Sequence, residues 1–243
     1  MEKLTEKPIG QLVAEDYRTA QIFKNHKIDF CCQGKRTVRE AADRKKVDVR
    51  LLLEEIEALQ QKENDGVIDF KSWPLDLLAN YVEKTHHRYV EEKIPILNAY
   101  LEKLCKVHGA RHPELFEITG HFKKSGGELA SHMKKEELVL FPAIRKMVQA
   151  KQTGSKMEKP HFGTVQNPIQ KMMEEHETEG ERFRQIDSLS GNYTPPEDAC
   201  NTYRVTYALL QEFENDLHKH VHLENNILFP KTAELEKVLN YER

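Results

Sequence analysis

The sequence predicts an all-α protein, in which a small N-terminal helical domain precedes an antiparallel four-helix bundle. Apolar residues recur every three or four positions along most of the 243 residues, which is the helical period. Only 11 glycines and 10 prolines interrupt this pattern. Short breaks separate the long periodic stretches of the second part, as they do between the antiparallel helices of a bundle.

The composition argues against several classes of function. Lys and Arg number 37 against 40 Asp and Glu, so a net charge of −3 provides no basic field for nucleic acid or for anionic membranes. Nowhere do about 18 apolar residues follow one another, and the first ten residues lack the apolar middle of a signal peptide. The four cysteines, two of them adjacent, do not form a disulfide framework. We therefore expect a cytoplasmic protein without membrane or nucleic-acid partners.

The first 66 residues are predicted to form the small domain. Three short helices are expected, at 11–24, at 38–46 and from 49 onward. Thr37 caps the second helix in a capping box with Glu40, and Asp48 caps the third. An Asn-Asp-Gly turn at 64–66 predicts the domain boundary.

Residues 72–243 are predicted to form the bundle. Its four long helices are expected at 74–107, 113–148, 165–189 and 196–239. The second and fourth helices share a pattern, a histidine and a glutamate four residues apart followed by Leu-Phe-Pro, which indicates two helix pairs of one design. One mismatch remains, because 13 residues follow His176 in the third helix whereas 24 precede His220 in the fourth. Either the segment before the fourth helix runs along the bundle axis, or the first turns predicted for the fourth helix are not helical.

Histidine interrupts each of the four apolar faces at one level, and glutamate interrupts two of them. These six candidate metal ligands are His86, His132, Glu136, His176, His220 and Glu224. Six buried polar groups without partners would consume much of a domain's stability of about 5–15 kcal/mol. Two divalent ions, each taking two nitrogens and two oxygens, would satisfy all six. Such mixed donors favour non-haem iron, with manganese and zinc as competing metals.

The alternative is a bundle without metal. A single histidine on an apolar face is more often a hydrogen-bonded core residue, and a His-x-x-x-Glu pair is usually solvated. Four histidines at one level and the repeated pair favour the dinuclear site. His87 lies beside a candidate ligand but off the apolar face, so it is expected to be exposed or to support the site. Glu137 and Glu175 are expected to be solvated, the alternative being that they orient ligands or relay protons.

Several motifs resemble the repair-of-iron-centres family of hemerythrin-like di-iron proteins (YtfE and ScdA type). They are Asp29-Phe30-Cys31-Cys32-x-Gly34, the string at 131–137, Pro195-Pro196-Glu197-x-Ala199-Cys200 and the string at 220–230. The resemblance implies that the four histidines are terminal ligands of two iron ions (Fe2+/Fe3+), which Glu136, Glu224 and an oxo or hydroxo group bridge. It also implies repair of iron–sulfur clusters damaged by nitrosative or oxidative stress, with the damaged proteins as clients and NO, O2 or peroxide as small ligands.

The sequence departs from the family at Gln33, where a glycine usually follows the two cysteines. It also lacks the fifth histidine of oxygen-carrying hemerythrins, which implies open positions on both irons. Reduction of NO or peroxide at these positions is an alternative function, and a hemerythrin-like module that binds or senses O2 or NO is another. Catalytic turnover and oligomeric state stay open, a homodimer being one alternative.

Cys31 and Cys32 are the candidate catalytic residues, for redox chemistry or for handling iron or NO. Adjacent cysteines close a disulfide only with strain. Lys35 and Arg36 nearby, and the helix that starts after Thr37, are expected to lower a thiol pKa. The alternative is that the pair are two small buried apolar residues.

Gly180 and two other cysteines complete the sequence-based expectations. Gly180 follows His176 by one turn, so it either leaves room for a small ligand above the metals or permits close helix packing. Cys105 and Cys200 are expected to be structural.

Overall fold

The computed structural model describes residues 2–61 and 68–239, and these residues fold into helices joined by turns and loops. The predicted all-α class is confirmed. The turn expected at 64–66 lies outside the described residues. Within the described residues, no helix is both long enough and apolar enough to cross a bilayer.

Within residues 2–61, five short helices make up the N-terminal segment. They are α1 (Glu2–Thr5), α2 (Ile9–Glu15), α3 (Thr19–Asn25), α4 (Val38–Lys45) and α5 (Val49–Gln60). The capping box of Thr37 and Glu40 is present, and Asp48 accepts a hydrogen bond from the backbone N–H of Arg50. The single helix predicted at 11–24 is wrong. It is interrupted where the Asp16 carboxylate accepts hydrogen bonds from the backbone and guanidinium of Arg18.

Four long helices form the second part of the chain. The first contains α6 (Leu75–Tyr81), a π-helical turn (Val82–His87) and α7 (Arg88–His108), and a 3-10 turn (Phe70–Ser72) precedes it. The second contains α8 (Glu114–Lys135), a π-helical turn (Glu136–Leu140) and α9 (Phe141–Thr153). The third is α10 (Gln166–Leu189). The fourth contains α11 (Asn201–Leu223), a π-helical turn (Glu224–Leu228) and α12 (Phe229–Lys237).

Three of these four helices thus contain a π-helical turn. In two of them the hydrogen bond spans five residues, from Phe141 N–H to the carbonyl of Glu136 and from Phe229 N–H to that of Glu224. A π turn holds one residue more than an α turn, so the side chain that continues an inward row is displaced by one position. This displacement decides which histidine of the first long helix enters the bundle.

The fourth helix begins at Asn201 instead of the predicted 196. A turn precedes it, in which the backbone N–H of Ala199 donates to the carbonyl of Pro196 at 3.0 Å, and Cys200 has an extended backbone (φ −75°, ψ 170°). The fourth helix therefore has 19 residues before His220 instead of the predicted 24, which is closer to the 13 residues that follow His176 in the third helix. The second of the two arrangements predicted for this segment is therefore the one observed.

The N-terminal helices share an apolar core with the bundle. One cluster of buried side chains combines Phe23 and Phe30 with Phe122, Phe183 and Phe213. At the contact, Asn226 donates from Nδ2 to the carbonyls of Phe30 and Cys31. The loop that carries the two cysteines is thereby held against the fourth long helix.

Gly10 and Gly34 allow this contact. A Cβ on either glycine would overlap Oδ1 of Asn226. Their backbones also bond to each other, from Gly10 N–H to the Gly34 carbonyl at 2.9 Å. Close approach of three chain segments therefore requires glycine at both positions.

Candidate metal centre

Six histidine and glutamate side chains meet inside the bundle, half-way along the four long helices. They are His87, His132, Glu136, His176, His220 and Glu224. Each has at most 3% of its surface exposed. Charged and polar groups are rarely buried to this degree without partners or a metal ion.

The six side chains form two groups of four that share both glutamates. One group contains His87 and His220, and the other contains His132 and His176. Within each group the ligand atoms lie within 4.8 Å of one another. The sharing of Glu136 and Glu224 is the arrangement that two carboxylate-bridged ions require, with two imidazole nitrogens for each ion.

Glu136 lies between the two groups. Its Oε2 is 3.4 Å from Nε2 of His87 and 3.3 Å from Nε2 of His132. Neither oxygen of this carboxylate has a hydrogen-bond partner within the described part of the chain. Both oxygens are therefore available to metal ions.

Glu224 holds the matching place on the opposite side. Its Oε2 is 3.2 Å from Nε2 of His176, and its Oε1 is 3.3 Å from Nε2 of His220. Among the described residues, its two oxygens also lack hydrogen-bond partners. The repeated sequence pattern thus corresponds to a repeated geometry.

The electrostatics of the protein without metal show what the centre needs. Burial and the neighbouring Glu224 act to raise the pKa of Glu136, but His132 holds it below its ordinary value. Burial acts to lower the pKa of His132, but Glu136 above all raises it to about 10. An imidazolium therefore compensates the buried carboxylates when no metal is bound. Divalent ions would supply the same positive charge, so the donor set fits a metal pair.

His86 does not belong to either group. Its Nδ1 bonds to Oδ1 of Asp216 at 2.9 Å, and its ring stacks on that of His220 with centroids 5.6 Å apart. The structure brings His87 to the other five predicted donors, and the expectation that His87 lies off the inward face is wrong. The reason is the π turn at Val82–His87: the inward row passes from Val82 to the residue five positions on. Two adjacent histidines were the only sign of this alternative in the sequence.

Two further glutamates orient the histidines from outside. Nδ1 of His132 donates to Glu175 at 2.9 Å, and Nδ1 of His87 donates to Glu137 at 3.0 Å. The hydrogen bond from His132, reinforced by Lys135, lowers the pKa of Glu175 to about 2. Solvation, the first of the alternatives predicted for both glutamates, is wrong, and orientation of the ligands is the alternative observed. Each fixes the ring so that Nε2 faces the centre, which is the usual role of a carboxylate behind a metal-binding histidine.

Asn225 has the same role for the third histidine, and sequence reasoning missed it. Its Oδ1 accepts from Nδ1 of His176 at 2.9 Å, while its Nδ2 donates to the carbonyl of Cys31 at 3.3 Å. One buried amide thus connects the candidate metal centre with the cysteine loop. The position directly after Glu224 was the available signal.

A cavity of about 280 Å3 leads to the centre from the surface. His132, His176 and His220 lie along it, together with the apolar side chains of Leu129 and Leu217. Val221 and several polar side chains, including Lys135, complete its lining. A diatomic molecule or peroxide fits this volume.

Comparison with known proteins finds two family models that match this chain and several similar proteins. The Hemerythrin HHE cation binding domain matches residues 78–232, and ScdA_N, described as a domain of unknown function, matches residues 5–60. The iron-sulfur cluster repair protein ScdA of Staphylococcus haemolyticus is 32% identical over 93% of this chain and 97% of its own. The iron-sulfur cluster repair protein YtfE of Yersinia pestis is 34% identical over 92% of this chain and 95% of its own. The chain belongs to the ScdA/YtfE family.

The cysteine loop of this ScdA/YtfE family member touches the third long helix directly. Cys31 is buried and Cys32 half-buried, and their sulfurs lie 3.6 Å apart. The thiol of Cys32 points to the carbonyl of His176 at 3.4 Å. A Cβ on Gly180 would lie 3.3 Å from this sulfur, so the glycine makes room for the thiol and not for a ligand above the metals.

The expected activation of the thiols is wrong for Cys31. The hydrogen bond with Cys32, burial and the charge of Asp29 raise the pKa of Cys31 well above its ordinary value. Lys35 is exposed to solvent and does not offset these effects. The Cys31 thiol therefore keeps its proton at neutral pH unless a metal ion displaces it.

Gln33, the departure from the family pattern, has a structural role here. Its Nε2 donates to Oε1 of Glu177 on the third long helix at 2.9 Å. It thus adds a second tether between the cysteine loop and the bundle, beside the contact of Cys32 with His176.

Proposed function

We propose that this ScdA/YtfE family member binds two iron ions in the bundle and repairs iron–sulfur clusters damaged by nitrosative or oxidative stress. His87 and His220 would hold one ion, His132 and His176 the other. Glu136 and an oxo or hydroxo group would bridge them, with Glu224 as the second carboxylate bridge. The observation that carries the proposal is that both glutamates, fully buried and without hydrogen-bond partners in the described structure, belong to both groups of donors.

Two iron ions in this centre would supply exchangeable ferrous iron and one-electron redox chemistry. The chain's own contribution is to hold and orient. Glu137, Glu175 and Asn225 keep the Nε2 atoms directed inward, and the apolar helices exclude bulk water from the carboxylates. The relatives that match 93% and 92% of the chain are named as cluster repair proteins, which supports damaged iron–sulfur proteins as the clients. Four free thiols suit a cytoplasmic location.

The test is transfer of iron to a damaged client. Anaerobically purified protein, loaded with iron, is mixed with a ferredoxin whose cluster nitric oxide has destroyed, and the cluster absorption is followed with sulfide and reductant present. We expect recovery that depends on the loaded protein. A variant in which Glu136→Ala removes one bridging carboxylate should lose both the iron and the recovery. Equal recovery from free ferrous iron at the same concentration would contradict the proposal.

The cavity that reaches three histidines favours a second candidate, reductive turnover of NO or peroxide. Steady production of N2O or water with an electron donor would support this function. A stable, reversible adduct without turnover would instead indicate a binding or sensing module.

A further inference from the structure

We propose that Asp29, Cys31 and Cys32 form a second metal site, which takes one divalent, thiophilic cation in addition to the pair in the bundle. In the repair function proposed above, on which this assignment of the cargo rests, the cation would be ferrous iron in transit. The donor set comprises two sulfurs and one carboxylate oxygen, all within 4.8 Å of one another.

The separations between the donor atoms fit one ion. The two sulfurs are 3.6 Å apart, and Sγ of Cys31 is 3.3 Å from Oδ1 of Asp29. Tetrahedral coordination with metal–sulfur bonds of about 2.3 Å places two sulfurs about 3.8 Å apart, and a sulfur and a carboxylate oxygen about 3.5 Å apart. These two separations therefore match a single ion to within a few tenths of an ångström before any ion enters, and the Cys32 sulfur lies within 4.8 Å of the Asp29 carboxylate.

Neighbouring groups hold the donors in this arrangement. Arg184 donates to Oδ2 of Asp29 at 3.0 Å, and the backbone N–H of Cys32 donates to Oδ1 at 2.9 Å. Gly180 leaves the space that the Cys32 sulfur occupies. An outer partner that orients a ligating carboxylate is a regular feature of metal sites.

The position of the site suits passage of an ion. A cavity of about 600 Å3 reaches Asp29 and Cys31 from the surface. On the other side, the Cys32 sulfur is 3.4 Å from the carbonyl of His176, whose imidazole faces the bundle centre. Three protein donors leave a fourth position open for exchange, unlike the closed four-ligand sets of structural metal sites.

The binding step involves no redox change. The cation forms two bonds to sulfur and one to the carboxylate, and the two S–H bonds break and release two protons to solvent. Metal binding thus provides the deprotonation that the buried surroundings of Cys31 oppose.

A cobalt titration tests the site. Cobalt(II) is added to the anaerobic full-length protein with its bundle centre loaded with iron, and the thiolate-to-cobalt charge-transfer absorption is recorded. We expect saturation at one cobalt per chain. Cys31→Ser and Cys32→Ser should each reduce the band to about half, because one of two thiolates remains. Asp29→Asn should weaken cobalt binding about tenfold or more, since it removes a ligand charge. Cys200→Ser, at an exposed thiol elsewhere, is the matched control and should change nothing.

Three outcomes would overturn the proposal. They are the absence of the band in the unaltered protein, its survival in the double variant Cys31→Ser/Cys32→Ser, and undiminished affinity in Asp29→Asn. Unchanged iron content and circular dichroism show that each variant is folded. Cluster recovery is measured separately on the unaltered protein. Absence of the cobalt band with intact recovery refutes only the second site, and presence of the band without recovery refutes only the repair function.

Discussion

Exchange of His87 or His86 for alanine separates the ligand predicted from the sequence from the one that the structure indicates. His87→Ala leaves its group of donors with one imidazole and the two shared carboxylates. Loss of a residue that merely orients a ligand lowers metal affinity 10–100-fold, so loss of the ligand itself should lower it by more than about 100-fold, or about 2.7 kcal/mol. The metal content should fall from two ions per chain to one or fewer.

His86→Ala is the matched control, because it removes an equally buried imidazole one position away. It loses one hydrogen bond to Asp216 and the stacking on His220. Truncation of a buried residue with one hydrogen bond should cost about 1–3 kcal/mol of stability. Both metal ions should nevertheless remain.

The assay is elemental analysis of anaerobically purified, desalted protein, together with thermal unfolding of the same samples. Retention of two metals by His87→Ala, with loss of metal from His86→Ala, would refute the argument from the π-helical turn. Equal loss from both would show that the centre tolerates no change of packing at this level.

Three further predictions concern the surroundings of the centre. Glu175→Gln should reduce metal affinity about 10–100-fold, since the hydrogen bond that orients His132 loses its charge, as equilibrium competition with a chelator can measure. Asn225→Ala should shift the absorption of the metal centre and speed proteolysis of the cysteine loop, because the Asn225 amide hydrogen-bonds both to His176 of the centre and to the Cys31 carbonyl of the loop. Burial raises the pKa of Glu214 from its ordinary 4.5 to about 7, so the folded state binds the proton more tightly than the unfolded state. Stability should therefore decline by up to about 3 kcal/mol as pH rises from 4.5 to 7, a loss that denaturant titrations of Glu214→Gln should not show.

Each of the three has a control and a contradicting result. Glu234→Gln, at an exposed carboxylate far from the centre, should leave affinity unchanged, and an equal effect there would remove the argument for Glu175. For Asn225, a spectrum and a cleavage rate identical to those of the unaltered protein would show that the amide does not couple the metal centre to the cysteine loop. For Glu214, an identical dependence on pH in both proteins would place the loss of stability at other groups.

Local patterns predicted much of the fold and most of the centre. The capping box at Thr37 and the repeated spacing of His132, Glu136, His220 and Glu224 involve neighbours within one or two helical turns. Such relations are fixed by the geometry of a single helix, whatever packs against it. The four long helices and the level of the donors followed from them.

Other features do not follow from the spacing of apolar residues. The break of the first predicted helix at Asp16, the start of the fourth long helix at Asn201 and the inward turn of His87 were not recovered. Each depends on hydrogen bonding or on a change of helical period that the spacing of apolar residues does not encode. The protonated state of the Cys31 thiol was also missed, because burial and Asp29 outweigh cations that are near in sequence but not in space.

By itself, the sequence determined that four helices present histidines at one level, and that two of them add a glutamate one turn later. Only the tertiary structure decided which of two adjacent histidines faces the centre, which carboxylates and amides orient the rings, and that the cysteine loop lies against the carbonyl of His176. The reason is physical: one helix fixes the spacing of its own side chains, whereas the local helical period and the partners of each buried polar group are fixed only when the helices pack together.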